Sequence, residues 1–147
     1  MFRLAIKRTA DLTLSVIGLV VLTLPFLLIA ALIKLDCRGP VFFRQERVGK
    51  YGRRLRPFKF RTMVVGAEGI GLRASVSADD TRITRAGRIL RNWGLDELPQ
   101  LINVLKGEMS MVGPRPTLPQ QVERYQDWHR RRLLVKPGIT GWALIHG

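Results

Sequence analysis

Apolar and uncharged positions run without interruption from Leu12 to Ile33, and beyond Asp36 the chain turns polar and rich in arginine and glycine. About 20 helical residues, rising 1.5 Å each, cross a hydrocarbon core, so this run predicts a helix lodged in lipid. A cleaved leader fits less well, because the run is longer than the usual apolar stretch of one and the exit Lys34-Leu35-Asp36-Cys37 has no small-residue cleavage site. Both flanks are basic, with Arg3, Lys7 and Arg8 before the run and Lys34, Arg38, Arg44 and Arg47 after it, which leaves no charge bias to orient a crossing. Pro25 lacks an N–H and its ring crowds the preceding turn. The pattern therefore predicts a bend near Thr23-Leu24-Pro25, with Thr23 and neighbouring carbonyls taking up the freed hydrogen-bonding groups. A helix that enters, bends there and returns would put both basic flanks on one face of the membrane. A straight crossing with a tolerated proline is the alternative, and the residues alone leave the two open.

Past Asp36 the periodicity shortens. Val41-Phe42-Phe43 and the stretch from Arg56 to Met63 read as short strands, separated by the turn-rich Gly49-Lys50-Tyr51-Gly52. Gly66 to Asp80 has weak periodicity and reads as a loop. A helix is predicted from Thr84, its N-cap, to Trp93, with Gly94 as the stop. A second runs from Asp96 to Gly107, with Leu98, Leu101, Ile102 and Leu105 as one apolar stripe. A third runs from Pro119 to about Leu134, carrying Val122, Tyr125 and Trp128 on one side and Arg130-Arg131-Arg132 near its end. The resulting fold class is α/β and mostly α: a membrane-embedded helical segment over residues 1–36, then one small domain over 37–147 of short strands and amphipathic helices.

Charge narrows the partners. With 25 Lys plus Arg against 11 Asp plus Glu the net charge is +14, which calls for an anion: nucleic acid, anionic lipid or a phosphorylated substrate. The lipid-embedded run and the lack of a recognisable nucleic-acid motif turn the expectation away from nucleic acid. Cys37, the single cysteine, has no companion for a disulfide or a metal site, which fits a reducing compartment. His129 and His146 lack evident metal partners, and Trp93, Trp128 and Trp142 read equally as core residues or interfacial anchors.

The candidate chemistry gathers around the Gly94-Leu95 link. Asp96 and Glu97 fall in the first turn of the second predicted helix, where unpaired N–H groups favour ionised carboxylates, and Pro99 suits that turn. Arg82, Arg85, Arg88 and Arg91 recur every third residue along one broad helix side, Arg91 nearest the acidic pair. Pro114-Arg115-Pro116 is a rigid turn that holds Arg115. A carboxylate can attack phosphorus or hold magnesium while guanidinium groups neutralise phosphates. Acidic residues at helix starts are, however, most often caps, and arginine runs most often face solvent or lipid.

The stretch Leu95 to Pro116, LDELPQLINVLKGEMSMVGPRP, closely resembles the signature of the bacterial sugar transferases, the monotopic phosphoglycosyl transferases. The order of other motifs agrees: Lys7, Arg8 and Asp11 before the apolar run, GPVFFRQERVG from Gly39 to Gly49, FKFRTM from Phe58 to Met63, TRITRAGRILR from Thr81 to Arg91, and KPGITGW from Lys136 to Trp142. The resemblance implies transfer of a phosphosugar from a UDP-sugar to undecaprenyl phosphate with release of UMP, opening exopolysaccharide, O-antigen or related glycan synthesis. It implies Mg²⁺ as cofactor and residence in the bacterial inner membrane, with a re-entrant N-terminal helix and the catalytic domain on the cytoplasmic face. By the same resemblance Asp96 is the nucleophile and magnesium contact, and Glu97 the second member of its dyad. Lys59, Arg91 and Arg115, with Arg88 on the same arginine run, are the phosphate- and substrate-binding residues. That reading requires an Asp96 carboxylate free to reach phosphorus. Gly94 stands where the family commonly has Ser or Thr, and Leu24-Pro25 replaces a frequent Ser-Pro. Leu144-Ile145-His146-Gly147 departs from the usual pattern, and the resemblance carries the expectation of a chain incomplete at its C-terminus, since the family's pattern continues further. The rival reading is a non-catalytic membrane module whose basic surface binds anionic lipid or a protein. No motif reports on the sugar or the oligomeric state.

Overall fold

The computed structural model describes residues 2–67 and 80–141. Most of the expected Gly66–Asp80 loop, Trp142, His146 and the rest of the last six residues lie outside the described residues. The first element is a helix, α1 (Phe2–Asp36), which remains helical through Pro25. The Thr23 hydroxyl donates to the Leu19 carbonyl at 2.8 Å, an i−4 back-bond. The carbonyl that Pro25 strips of its partner belongs to Val21, so Thr23 does not take up the freed group as its position suggested.

One stripe of α1 is covered and the rest is open. Asp11, Ser15, Ile29 and Ile33 are buried, and Gly18 lies so close to Leu101 that an added Cβ would stand 3.0 Å from its Cδ1. These positions recur at three- and four-residue steps, the spacing of a single helix face. The opposite face exposes Ile17, Val20, Val21, Leu24, Leu28 and Leu32. Polar anchors hold both ends to the same domain. Near the N-terminus, Asp11 accepts from the Ser110 hydroxyl at 2.9 Å and the Met111 N–H at 3.1 Å, and Arg8 donates to the Val104 and Leu105 carbonyls at 2.7 and 2.9 Å. At the C-terminus, Arg61 donates to the carbonyls of Cys37 and Arg38 at 2.6 and 2.9 Å, and Asp36 accepts from the Ala86 N–H at 2.8 Å.

Among the described residues the domain holds three separate strand pairs. β1 (Phe42–Phe43) runs antiparallel to β4 (Lys59–Phe60), with Phe42 opposite Phe60 and Phe43 opposite Lys59. β2 (Arg47–Val48) and β3 (Arg54–Leu55) form a hairpin over the predicted turn, where Tyr51 and Gly52 take positive φ. β5 (Ser110–Val112) pairs in parallel with β6 (Gly138–Thr140), at a separation that excludes side chains: a Cβ on Gly138 would stand 2.1 Å from the Gly113 nitrogen.

Helix α2 (Arg85–Asn92) starts as predicted, the Thr84 hydroxyl accepting from the Gly87 N–H at 3.0 Å, and ends before Gly94, whose φ is 65°. The second predicted helix divides into a 3-10 turn, Leu95–Gln100, and α3 (Leu101–Leu105), closed by Gly107 at φ 79°. Its buried residues are Leu101, Asn103 and Val104 rather than the full leucine stripe. Asn103 is drawn inward because its side chain accepts from the Phe58 N–H at 2.8 Å and donates to Glu108 at 2.6 Å. The third predicted helix breaks into α4 (Pro119–Glu123), α5 (Asp127–Arg130) and a 3-10 turn, Arg131–Leu134. The chain leaves the helix at Arg124 and restarts at Gln126, whose N–H donates to His129 Nδ1 at 3.3 Å. Tyr125 is pulled aside onto the Thr117 hydroxyl at 2.9 Å.

Among the described residues two apolar clusters make the core. Ile29 and Ile33 of α1 pack with Phe60 and Leu90, and Phe26 meets the Phe60 ring edge-on at 5.2 Å between centroids. Leu55, Val104 and Met109 form the second cluster. The lipophilic helix is thereby one wall of the domain that follows it.

Candidate active site

The site is assembled from three segments of chain that only the tertiary fold brings together. Gly94, in the left-handed conformation open to glycine, turns the chain out of α2 and into the 3-10 turn that presents Asp96 and Glu97. Beneath them β4 supplies Lys59, its register set by pairing with Phe43. The Lys59 ammonium lies 2.8 Å from Asp96 Oδ2 and 3.2 Å from Glu97 Oε1. Arg115, from the turn after β5, reaches the same Glu97 Oε1 at 3.1 Å. Two carboxylates and two cations thus form one connected chain, Asp96–Lys59–Glu97–Arg115.

Burial differs along it. Asp96 is 4% exposed, whereas the side chains of Glu97, Lys59 and Arg115 are 23%, 28% and 52% exposed. Asp96 is therefore not the open carboxylate that the sequence reading required: Lys59 covers it, because a buried carboxylate needs a partner. Lys59 in turn is the movable part, an ammonium on a flexible four-carbon stem with access to solvent.

Arg91 and Arg88 form no ion pair with this group among the described residues. The Arg91 guanidinium donates from Nε to the Thr62 hydroxyl at 2.8 Å, beside the point where α2 crosses the strand end so closely that a Cβ on Gly87 would fall 2.0 Å from the Thr62 carbonyl oxygen. Arg88 is exposed on the outer face of α2, and its side chain makes no hydrogen bond or ion pair among the described residues. The arginine periodicity placed the two together, but α2 buries its Gly87–Leu90 side and turns Arg88 outward.

A groove of about 60 Å³ opens beside the dyad. Lys59, Glu97 and Arg115 line it, and so do Phe43, Gln45, Arg47 and Gln100. Arg47 belonged to a recognised motif, yet no role attached to it from the sequence. Burial pushes its guanidinium pKa below the ordinary arginine value, the neighbouring Arg115 pushes it the same way, and Glu97 opposes them.

Magnesium is a hard cation that takes oxygen ligands, commonly one or two carboxylates together with substrate phosphates. The Lys59 ammonium already occupies a cation position between two carboxylates, so the donor set of Asp96 and Glu97 fits such an ion. Among the described residues no cluster of three or more His, Cys, Asp or Glu side chains offers a site built wholly from protein.

Comparison with known proteins places these residues in context. The family described as bacterial sugar transferase matches residues 2–147. The chain is 47% identical to an undecaprenyl-phosphate glucose phosphotransferase of Komagataeibacter xylinus, over 96% of this chain and 28% of that protein. It is 43% identical to the uncharacterized sugar transferase EpsL of Bacillus subtilis strain 168, over 97% of this chain and 69% of the relative. It is 44% identical to a UDP-N-acetylgalactosamine-undecaprenyl-phosphate N-acetylgalactosaminephosphotransferase of Aeromonas hydrophila, over 97% of this chain and 34% of the relative. The chain thus spans about a third or less of the length of the first and third of these relatives.

Proposed function

We propose, from the premise that this chain belongs to the bacterial sugar transferase family, that it transfers a phosphosugar from a UDP-sugar to undecaprenyl phosphate and releases UMP. The observation that carries the reading is the pair Asp96–Glu97 bridged by Lys59, with Arg115 on Glu97, at the edge of a groove. An anionic donor entering that groove competes with the carboxylates for the Lys59 ammonium and draws it onto phosphate oxygens. Asp96 Oδ2 is then free to attack the sugar-bearing phosphorus. The bond to the bridging oxygen breaks, UMP leaves with that oxygen, and an aspartyl phosphosugar remains. In the second step a phosphate oxygen of the lipid carrier attacks the same phosphorus and restores the Asp96 carboxylate. Glu97 keeps Lys59 and Arg115 aligned through both transfers. Mg²⁺, held by the carboxylates of Asp96 and Glu97, would neutralise charge on the transferring phosphate.

The membrane supplies the acceptor. Helix α1 has a mean hydropathy of 2.9 over its most apolar window, exposes apolar side chains on one face and is bonded at both ends to a single domain. That attachment favours a helix that enters the lipid and returns over one that crosses it, with the dyad on the cytoplasmic side at headgroup depth. The burial of Asp96 favours a second reading, in which the pair is only a structural cap and the chain a membrane-bound basic module. Asp96→Asn in membrane preparations separates the two. The enzymatic reading expects UMP release to vanish, together with the phosphosugar adduct seen by intact mass; release at the unsubstituted rate eliminates Asp96 as nucleophile.

A further inference from the structure

The structure assigns Arg47 and Arg115 as a clamp for the second phosphate of the donor, the one that departs with the nucleotide, with Gln45 fixing the Arg47 guanidinium. The assignment rests on the proposed function and specifies where along the groove the diphosphate lies.

The fold puts the two arginines side by side. Arg47 lies on β2 and Arg115 follows β5, 68 positions apart in the chain. They are joined by one antiparallel bridge in which the Val48 N–H donates to the Thr117 carbonyl at 2.8 Å. Each arginine is two residues or fewer from that bridge, so their relative position is held by backbone. Gln45 Oε1 accepts from Arg47 Nη2 at 2.6 Å, a contact that orients the guanidinium and leaves its other donors for a ligand.

Charge along the groove is unbalanced. Its lining contains three cations, Arg47, Lys59 and Arg115, and one carboxylate, Glu97, which leaves an excess of +2. A nucleoside diphosphate sugar carries about two negative charges on adjacent phosphates. Glu97 is already shared by Lys59 and Arg115, and the ion pairs formed among the described residues include none to Arg47. Two guanidinium groups held next to each other repel, and an anion between them relieves that repulsion. Guanidinium forks also match phosphate oxygens in pairs.

The order of charged groups then sets the direction of the donor. Asp96 and Lys59 stand at one end of the ion-pair chain and Arg115 at the other, and the Val48–Thr117 bridge joins Arg47 to the Arg115 side. The phosphorus that Asp96 attacks must lie at the Lys59 end. The leaving phosphate falls at the Arg115–Arg47 end, where positive charge stabilises the dianion that forms as the bridging oxygen departs.

The test measures donor and acceptor dependence separately in membrane preparations carrying Arg47→Gln, Arg47→Lys or Gln45→Leu. Loss of a charge-assisted phosphate contact weakens binding about ten- to a hundredfold. Arg47→Gln is therefore expected to raise the KM for the UDP-sugar and the inhibition constant of UMP by that factor while leaving the KM for undecaprenyl phosphate unchanged. Arg47→Lys restores part of the loss, and Gln45→Leu shows a smaller change in the same two constants. A donor KM and UMP inhibition equal to those of the unsubstituted protein in Arg47→Gln overturn the clamp, as does a parallel rise in both substrates' KM with a lowered unfolding midpoint. If the unsubstituted protein releases no UMP, the proposed function itself fails. An active protein indifferent to Arg47 sinks this inference alone.

Discussion

Replacing Lys59 by methionine keeps most of the stem and removes the ammonium that covers Asp96. At 2.8 Å two unit charges attract by about 6 kcal/mol at an effective dielectric near 20 and by about 1.5 kcal/mol in water. The pair lies between these limits, since the Asp96 side chain is 5% exposed and that of Lys59 28%. Removing one partner of a buried pair typically costs about 3–5 kcal/mol, because the remaining charge stays desolvated. Solvent access at Lys59 screens part of this, so Lys59→Met is expected to lose about 2–4 kcal/mol of stability. Asp96→Asn alone should lose less, about 1 kcal/mol, since Lys59 still has Glu97 and the amide carries no charge to desolvate. In the double variant the stranded carboxylate is gone, and stability should return to within about 1 kcal/mol of the unsubstituted protein. Urea unfolding of the four proteins in detergent micelles, followed by far-ultraviolet circular dichroism, closes the cycle. Additive single losses, or a Lys59→Met protein as stable as the parent, refute the claim that Lys59 is what holds a buried Asp96 charge.

Three further outcomes follow from the geometry. Asp11→Ala removes the acceptor of the Ser110 hydroxyl and Met111 N–H, and leaving these buried donors unpaired should cost about 2–3 kcal/mol. Limited proteolysis should then cut near the N-terminus of α1 sooner, and an unchanged cleavage rate counts against the docking of α1 by its polar anchors. Gly87→Ala drives a Cβ to 2.0 Å from the Thr62 carbonyl oxygen; the backbone cannot yield there, and a loss of about 3 kcal/mol in an unfolding titration is expected, whereas a neutral substitution contradicts the close crossing of α2. Hydrogen bonds from Arg82 hold the Asp80 carboxyl at about 2, below its ordinary 3.8. A depressed carboxyl pKa stabilises the fold above about pH 4 and ceases to do so as pH falls through 2, so the deficit of Asp80→Asn in thermal unfolding should be full at pH 5–7 and close as the medium is acidified. A deficit independent of pH sets that ion pair aside.

Much of the architecture was legible because it is local. The uncharged run from Leu12 to Ile33, the Thr84 cap, the Gly94 stop and the Gly49–Gly52 turn each act within a few residues, through solvation, one hydrogen bond or one permitted backbone conformation. The acidic pair was visible as well, since charge at a helix start is a matter of adjacent positions. Other features depend on residues far apart in the chain. That α1 is a wall of the domain follows from Asp11 meeting Ser110 and from Phe26 meeting Phe60. Asp96 is buried because β4 slides Lys59 over it, and nothing in the spacing of 37 positions between the two reports that contact. Arg47 enters the groove through the single bridge of its neighbour Val48 to Thr117, whereas Arg88, suggested by periodicity, turns outward because α2 packs by its glycine. Periodicity tells which face of an element is apolar; which distant element covers that face, and which charge it carries there, is settled only when the chain closes on itself and every buried polar group must find a partner.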